Sequence, residues 1–304
     1  MLIPERITQK YAQIYPSAFK MAKDFRANKG SASLEDWEDW CYLPLAASYA
    51  IASNEAAKQN VPANVFAIDI GNLGAILSWR IGKGVYQFDS ELLESLWTTP
   101  LDGDIPSELL YQLPEWCCYI DLKGFDKSPC DGFFVYLEDD MNTHDHELRL
   151  SMVFDGEFLY TVPIHIRKSG IAAGLKETMM TSIANMPQNR LGEAEKAEMT
   201  SDDFMRSWAK GLEPMVSVVL YLCASNAEIH CYKHPEKKPE RPRETQTKRG
   251  NKIFPASTPT EYRIGSQIGA AIRRYRAESA AAGDAAKTIS PHIRRAHFHA
   301  YRTG

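Results

Sequence analysis

Two imidazoles with one residue between them, His297 and His299, carry the most suggestive chemistry in the sequence. They lie in Ser290-Pro291-His292-Ile293-Arg294-Arg295-Ala296-His297-Phe298-His299-Ala300-Tyr301-Arg302, which alternates at period two. As a strand, this stretch puts Ile293, Arg295, His297, His299 and Tyr301 on one face and Arg294, Ala296, Phe298 and Ala300 on the other, because successive side chains point to opposite sides. Paired imidazoles beside an arginine could serve as general acid and base on a phosphodiester, since each titrates close to neutral pH. The same pair could ligate a metal, contact RNA or peptide without catalysis, or form a structural histidine cluster. Spacing alone leaves these readings open: a metal site needs further ligands, and a nuclease needs a phosphate placed against the pair. Upstream, Arg273, Arg274 and Arg276 extend from one predicted helix; Tyr275 and Phe298, set among arginines, suit stacking on a base or a peptide. The expected binding surface is therefore Arg273, Arg274, Tyr275, Arg294, Arg295, His297, Phe298, His299 and Tyr301. No catalytic residue is assigned; a nuclease would use His297 and His299.

A second segment, Glu138-Asp139-Asp140-Met141-Asn142-Thr143-His144-Asp145-His146-Glu147, is dense in possible metal ligands but falls between two predicted strands, where a solvated polar loop is expected. It lacks the glycine and glutamate spacing of a calcium loop. Walker loops, dinucleotide glycine fingerprints, nucleophile elbows and H-E-x-x-H are absent too. Six cysteines form no C-x-x-C unit, and the adjacent Cys117 and Cys118 would face opposite sides of a strand, so reduced thiols are expected and neither a metal nor a cofactor is. The sequence reads as a binding protein more than as an enzyme.

The elements that must position these groups follow from periodicity. Helical patterns dominate to about residue 97. Ser33 is expected to cap a helix whose first turn holds Glu35, Asp36, Glu38 and Asp39, where the helix dipole favours anions. A second helix is predicted from Pro62 to about Arg80, with Val65, Ile68, Leu73, Ile76 and Leu77 as its apolar stripe and Gly82 and Gly84 as its stop. Asp89 should cap a short helix carrying Leu92, Leu93 and Leu96. The period then becomes strand-like over Trp116–Leu122, Gly132–Leu137, Glu147–Phe154 and Phe158–Ile166, with Asp155-Gly156 as a type I′ hairpin signal. Helices follow near Ile171–Ala184 and from Thr200, the latter kinked or interrupted at Pro214. The six tryptophans read as core.

Residues 233–257 hold four prolines among many charges and predict disorder or an extended strap. Thr258-Pro259-Thr260-Glu261 then reads as a capping box opening a helix to about Ala282, with Ile264, Ile268, Ala271, Ile272 and Tyr275 buried and Gly265 and Gly269, one turn apart, admitting the close approach of another backbone. The expected class is α+β: a helical part over 1–110, a central antiparallel sheet with helices over 111–232, a basic linker over 233–257, and a basic helix and strand over 258–304, whether separate or packed as one domain. At 44% apolar and 24% charged, the composition excludes a wholly disordered or fibrous chain. Its longest near-apolar run, Met215 to Ala224, falls short of the ~20 residues of a spanning helix, and the first residues lack an export signal, so a cytoplasmic protein without membrane contact is expected. The net charge of −4 divides into −14 (19 Lys+Arg against 33 Asp+Glu) over 1–232 and +10 (16 against 6) over 233–304. Such a tail either meets a polyanion or folds back on the acidic body.

The stretches Val85-Tyr86-Gln87-Phe88-Asp89, Leu113-Pro114-Glu115-Trp116-Cys117-Cys118-Tyr119-Ile120, Leu220-Tyr221-Leu222-Cys223, Tyr262-Arg263-Ile264-Gly265, Arg273-Arg274-Tyr275 and, most specific, Pro291 to Tyr301 follow one another in this order along the chain. In that order and wording the sequence resembles the second-described family of type V-A anti-CRISPR proteins and their relatives on mobile elements. Family members usually have tryptophan in place of Phe298 and continue with a further basic and aromatic stretch. The resemblance implies that the chain lowers production of a type V-A CRISPR nuclease by recognising its nascent N-terminal peptide, with loss of the messenger RNA. The ribosome or that messenger would be a further contact. Charge suggests that the acidic body takes the peptide and the basic tail lies near RNA. Direct RNA cleavage by the histidine pair, or general RNA binding, are the alternatives.

Overall fold

A computed structural model describes residues 1–60, 67–101, 105–141, 143, 145–184, 202–248 and 250–282. In chain order the elements are α1 (Ile3–Ile14), α2 (Ala18–Ala27), α3 (Leu45–Gln59), α4 (Ala67–Gly82), β1 (Gly84–Phe88), α5 (Ser90–Trp97), a 3-10 turn (Ser107–Gln112), β2 (Cys117–Asp121), β3 (Gly132–Asp140), β4 (Asp145–Phe154), β5 (Phe158–His165), α6 (Ile171–Ala184), α7 (Asp202–Cys223), β6 (Ile229–Cys231), β7 (Thr245–Thr247), β8 (Gly250–Lys252), β9 (Thr260–Ile264) and α8 (Ser266–Ala282). The architecture is α+β, as expected. The chain divides into two interleaved units: Met1–Gln87, Leu113–Ile164 and His230–Tyr262 form the first, and Phe88–Gln112, His165–Ile229 and Arg263–Gly304 the second.

The first unit is built on a sheet of order β5-β4-β3-β2-β1-β9-β6. Strands β2, β3 and β4 are antiparallel neighbours, pairing Tyr119 with Phe134 and Val135 with Leu150. Between β4 and β5, Asp155 and Gly156 take φ of 51° and 68°, and the Glu157 N–H donates to the Phe154 carbonyl at 3.1 Å, the left-handed turn that the pair announces. The expectation of an antiparallel sheet holds for this meander but not for the whole, because β1 runs parallel to β2, with Val85 opposite Tyr119. Parallel neighbours need a long crossover, which the chain makes through α5 and the 3-10 turn. On one face of the sheet Trp79, Tyr119, Phe134 and Tyr136 join a core with Ile7, Tyr11 and Ile51 of the surrounding helices. Helix α4 fits closely there: the Tyr136 hydroxyl donates to the Gly71 carbonyl at 2.7 Å, and Leu73, Ile76 and Leu77 are buried. The side chains of Val65 and Ile68 lie outside the described residues.

Three expectations are overturned in this unit. Ser33 caps no helix; residues 31–44 form a loop with one bridge between Ser31 and Leu34. Its acidic run answers cations on α2 and just beyond, with Lys29 Nζ 3.3 Å from Asp36 and 2.5 Å from Asp39, so the carboxylates gain more from those partners than from a helix dipole. The segment 138–147 is not a loop but the paired ends of β3 and β4, apart from its tip, where Asn142 and His144 lie outside the described residues. Thr258-Pro259-Thr260-Glu261 opens a strand rather than a helix, because Tyr262 and Ile264 alternate inward, 1% and 0% exposed, and burial at period two outweighs the local capping signal. The basic strap over 233–257 is extended and anchored, with the Arg241 guanidinium donating to the Leu113 carbonyl at 2.9 Å and the Ala256 N–H to the Ile81 carbonyl at 2.8 Å; it also forms the β7–β8 hairpin.

In the second unit Asp89 caps α5 by accepting from the Glu91 N–H at 3.0 Å, and Leu92, Leu93 and Leu96 are buried. Helix α7 runs through Pro214 instead of stopping there and buries Val216, Val218 and Val219. All six cysteines are buried free thiols. No helix among the described residues is long and apolar enough to cross a membrane.

Candidate functional site

Arg273, Arg274 and Tyr275 all lie on α8, while Arg294, Arg295, His297, Phe298, His299 and Tyr301 lie outside the described residues, as does the strand predicted to carry them. Helix α8 leaves β9 through Gly265, whose φ of 70° turns the chain and whose N–H donates to the Glu228 carbonyl at 2.9 Å. The Glu228 carboxylate then accepts from the Gln267 N–H, at 2.9 and 3.1 Å, and from the Ile268 N–H at 3.3 Å. A carboxylate from a distant segment thus occupies the positive end of the helix dipole.

One turn on, Gly269 lies against Asp89, and Arg273 reaches the same carboxylate with both guanidinium nitrogens, at 2.8 and 2.9 Å. This planar fork makes the stronger, two-bonded form of an ion pair. Burial pushes the Asp89 carboxyl up, but the Arg273 guanidinium and the Glu91 and Leu92 amides outweigh it and hold the group below the usual carboxylate range. Arg276 pairs with Glu91 and lies 3.4 Å from Glu94. Asp89 and helix α5 therefore present three carboxylates to two arginines of α8. Arg274 is exposed, and Tyr275 is half-buried.

The arginine cluster is accordingly split: Arg273 and Arg276 are held by acidic side chains of the same unit, and Arg274 faces solvent. The expected buried stripe of α8 is corrected as well, since Ile264 belongs to β9, Ile268 is 38% exposed and Ala271 is exposed. Gly269 of α8 and Gly265 just before it are buried, but what approaches them is the side chains of Asp89 and Leu92 rather than the expected second backbone. Asp89, Glu91, Glu94 and Glu228 as partners were not foreseen, because no local pattern links residues so far apart.

The acidic segment has a structural use. Glu138 and Glu147 face each other across β3 and β4 and are bridged by Arg149, at 2.5 and 2.6 Å. Burial raises the Glu138 carboxyl to about 7, against the pull of Arg149. Among the described residues no three His, Cys, Asp or Glu side chains converge as a metal would require. The first unit also holds a groove of about 510 Å³ bounded by α2, the end of α4 and the strap, which no single stretch of sequence signals because its walls come from separate segments.

Residues 86–304 match the AcrVA2-like family, the anti-CRISPR type V subtype A2 family. Protein FinQ of Escherichia coli is 24% identical over 238 residues, which cover 71% of this chain and 65% of FinQ, just under two thirds of that protein's length. The crystal structure of AcrVA2 superposes with a TM-score of 0.65 at 20% identity, covering 92% of this chain and 89% of that one, and bears out the fold.

Proposed function

The chain belongs to the AcrVA2-like anti-CRISPR family, and from that premise we propose that it lowers production of a type V-A CRISPR nuclease by recognising the nuclease's nascent N-terminal peptide, with loss of the messenger RNA as the result. The family match over residues 86–304 is the observation that carries this reading. Charge supports a division of labour: the body at −14 suits a basic or amphipathic peptide, and the tail at +10 suits ribosomal or messenger RNA. Within the tail, Arg274 keeps an exposed charge for such a contact while Arg273 and Arg276 fix the helix that carries it. The site of action would be the cytoplasm, carried there by a mobile element.

The test is the messenger level of a reporter fused behind the N-terminal segment of a type V-A nuclease, with and without this protein, and with the start codon intact or destroyed. Loss only from the translated reporter is expected. Equal loss from the untranslated one would refute nascent-chain recognition, and cleavage of RNA by the purified protein that His297→Ala abolishes would replace it with a ribonuclease.

A further inference from the structure

The groove of the first unit has a chemistry that neither the arginines of α8 nor the histidine pair draws on. Its charge is one-sided: Lys20, Lys23, Arg26, Arg80 and Lys252 line it, against Asp24 and Glu244. Its apolar surface joins the rings of Phe19, Tyr42 and Phe254 to Ala27, Ile81, Ile253 and Pro255. The Arg80 guanidinium lies over the Phe19 ring, 4.4 Å from its centre, which fixes a planar cation on the wall. Phe254 is 61% exposed, a large ring left in water at the rim.

Arg26 supplies a second observation. It is only 8% exposed, and although one guanidinium nitrogen donates to the Cys41 carbonyl at 3.1 Å, its Nε has no hydrogen-bond partner among the described residues, the Glu244 carboxylate lying 3.9 Å away. A buried donor left unpaired costs free energy unless a ligand completes it. The nearby Asp39 at 3.6 Å is 89% exposed and offsets the charge only weakly.

We propose that this groove binds a short segment of single-stranded RNA, with phosphates on Lys252, Arg80 and the α2 lysines and a base stacked on Phe254. Cations interleaved with rings match a strand in which phosphates alternate with bases. A purely acidic peptide such as polyglutamate would satisfy the cations and leave the exposed Phe254 ring without a stacking partner. A volume of about 510 Å³ lies within the usual range for a bound small molecule and leaves room for a nucleotide. No residue of α8 lines the groove, and the proposal stands or falls independently of nascent-chain recognition, because the reporter assay and RNA binding read different events.

The experiment is fluorescence anisotropy of the full chain with a labelled single-stranded RNA of about ten nucleotides, titrated over a range of salt. Because the tail is also basic, 4-thiouridine crosslinking of the unaltered protein locates the bound strand. Crosslinks at the strap and α2 are expected. The pair Arg80→Ala and Lys252→Ala should flatten the slope of log affinity against log salt by about 1.4, at roughly 0.7 for each phosphate no longer neutralised. Phe254→Ala should weaken binding about tenfold without moving the thermal midpoint, since the ring is exposed. Lys168→Ala, which removes an exposed cation that does not line the groove, should leave the groove crosslinks in place. Crosslinks confined to the tail, affinity untouched by the groove variants, or competition by polyglutamate as strong as by unlabelled RNA would each overturn the proposal.

Discussion

Asp89 does two jobs with one carboxylate. It caps α5 through the Glu91 N–H and holds α8 through Arg273, a residue 184 positions away. Asp89→Ala removes both and should lower stability by at least about 1 kcal/mol, the usual worth of a lost cap, read as a shifted urea midpoint. Asp89→Asn keeps a capping oxygen and should lose less. The cap was legible because a capping residue announces itself within three positions, whereas Arg273 as its partner was not. Glu115 makes a sharper case. It is buried beside Tyr86, and burial raises its carboxyl to about 8, with the Tyr86 hydroxyl, the Lys237 ammonium and the Gly84 amide offsetting only part of that rise. A carboxyl whose pKa is higher in the folded than in the unfolded chain binds its proton more tightly when folded. Its contribution is therefore most favourable below the ordinary glutamate value of 4.5, declines as pH rises to about 8, and is flat above. Glu115→Gln should remove that decline and raise the melting midpoint at alkaline pH by about 3 °C or more, with little change under acid conditions.

Elements were read well wherever a local pattern and burial agreed. The β2–β5 meander, the Asp155-Gly156 turn, α5 and α6 all have that agreement. Where they conflicted, tertiary burial won: β9 overrode a capping box, and Lys29 drew Asp36 and Asp39 into a loop rather than a helix's first turn. Strand β1 was missed because five residues, Gly84–Phe88, give too short a pattern and its parallel partner begins 33 residues after it starts. Of the candidate binding surface, α8 and its arginines were legible, while the groove was not, since Phe19, Arg80 and Phe254 meet only after folding. The junction of β9 and α8 is the sensitive point among these elements. Gly265 has a φ of 70° with Leu92 packed against it, so Gly265→Ala adds both backbone strain and a collision. A loss of about 2 kcal/mol is expected by chemical denaturation, with the α5–α8 ion pairs weakened in the same variant.

At the scale of the whole molecule, the six cysteines test how completely the fold excludes solvent. All are buried, and burial pushes the Cys41 and Cys117 thiols well above their ordinary range, so few reactive thiolates exist at neutral pH. Ellman's reagent should label essentially none of them in the native protein and all six in guanidinium; rapid labelling of the native form would contradict this burial. The charge division has its own local counterpart, in that Asp89 and the acidic side chains of α5 already answer two of the tail's arginines.

The interleaving of the two units limits how the chain can be shortened. The first unit takes Met1–Gln87, Leu113–Ile164 and His230–Tyr262, so no single cut releases it whole. A fragment ending before Thr260 lacks β9, the neighbour of β1, and would carry an open row of unpaired amides and carbonyls in what should be the interior of its sheet. Such an edge is a template for joining another chain. Truncated copies should therefore be recovered as aggregates rather than as smaller working proteins, and any split version would have to regain its missing strand from the complementary fragment.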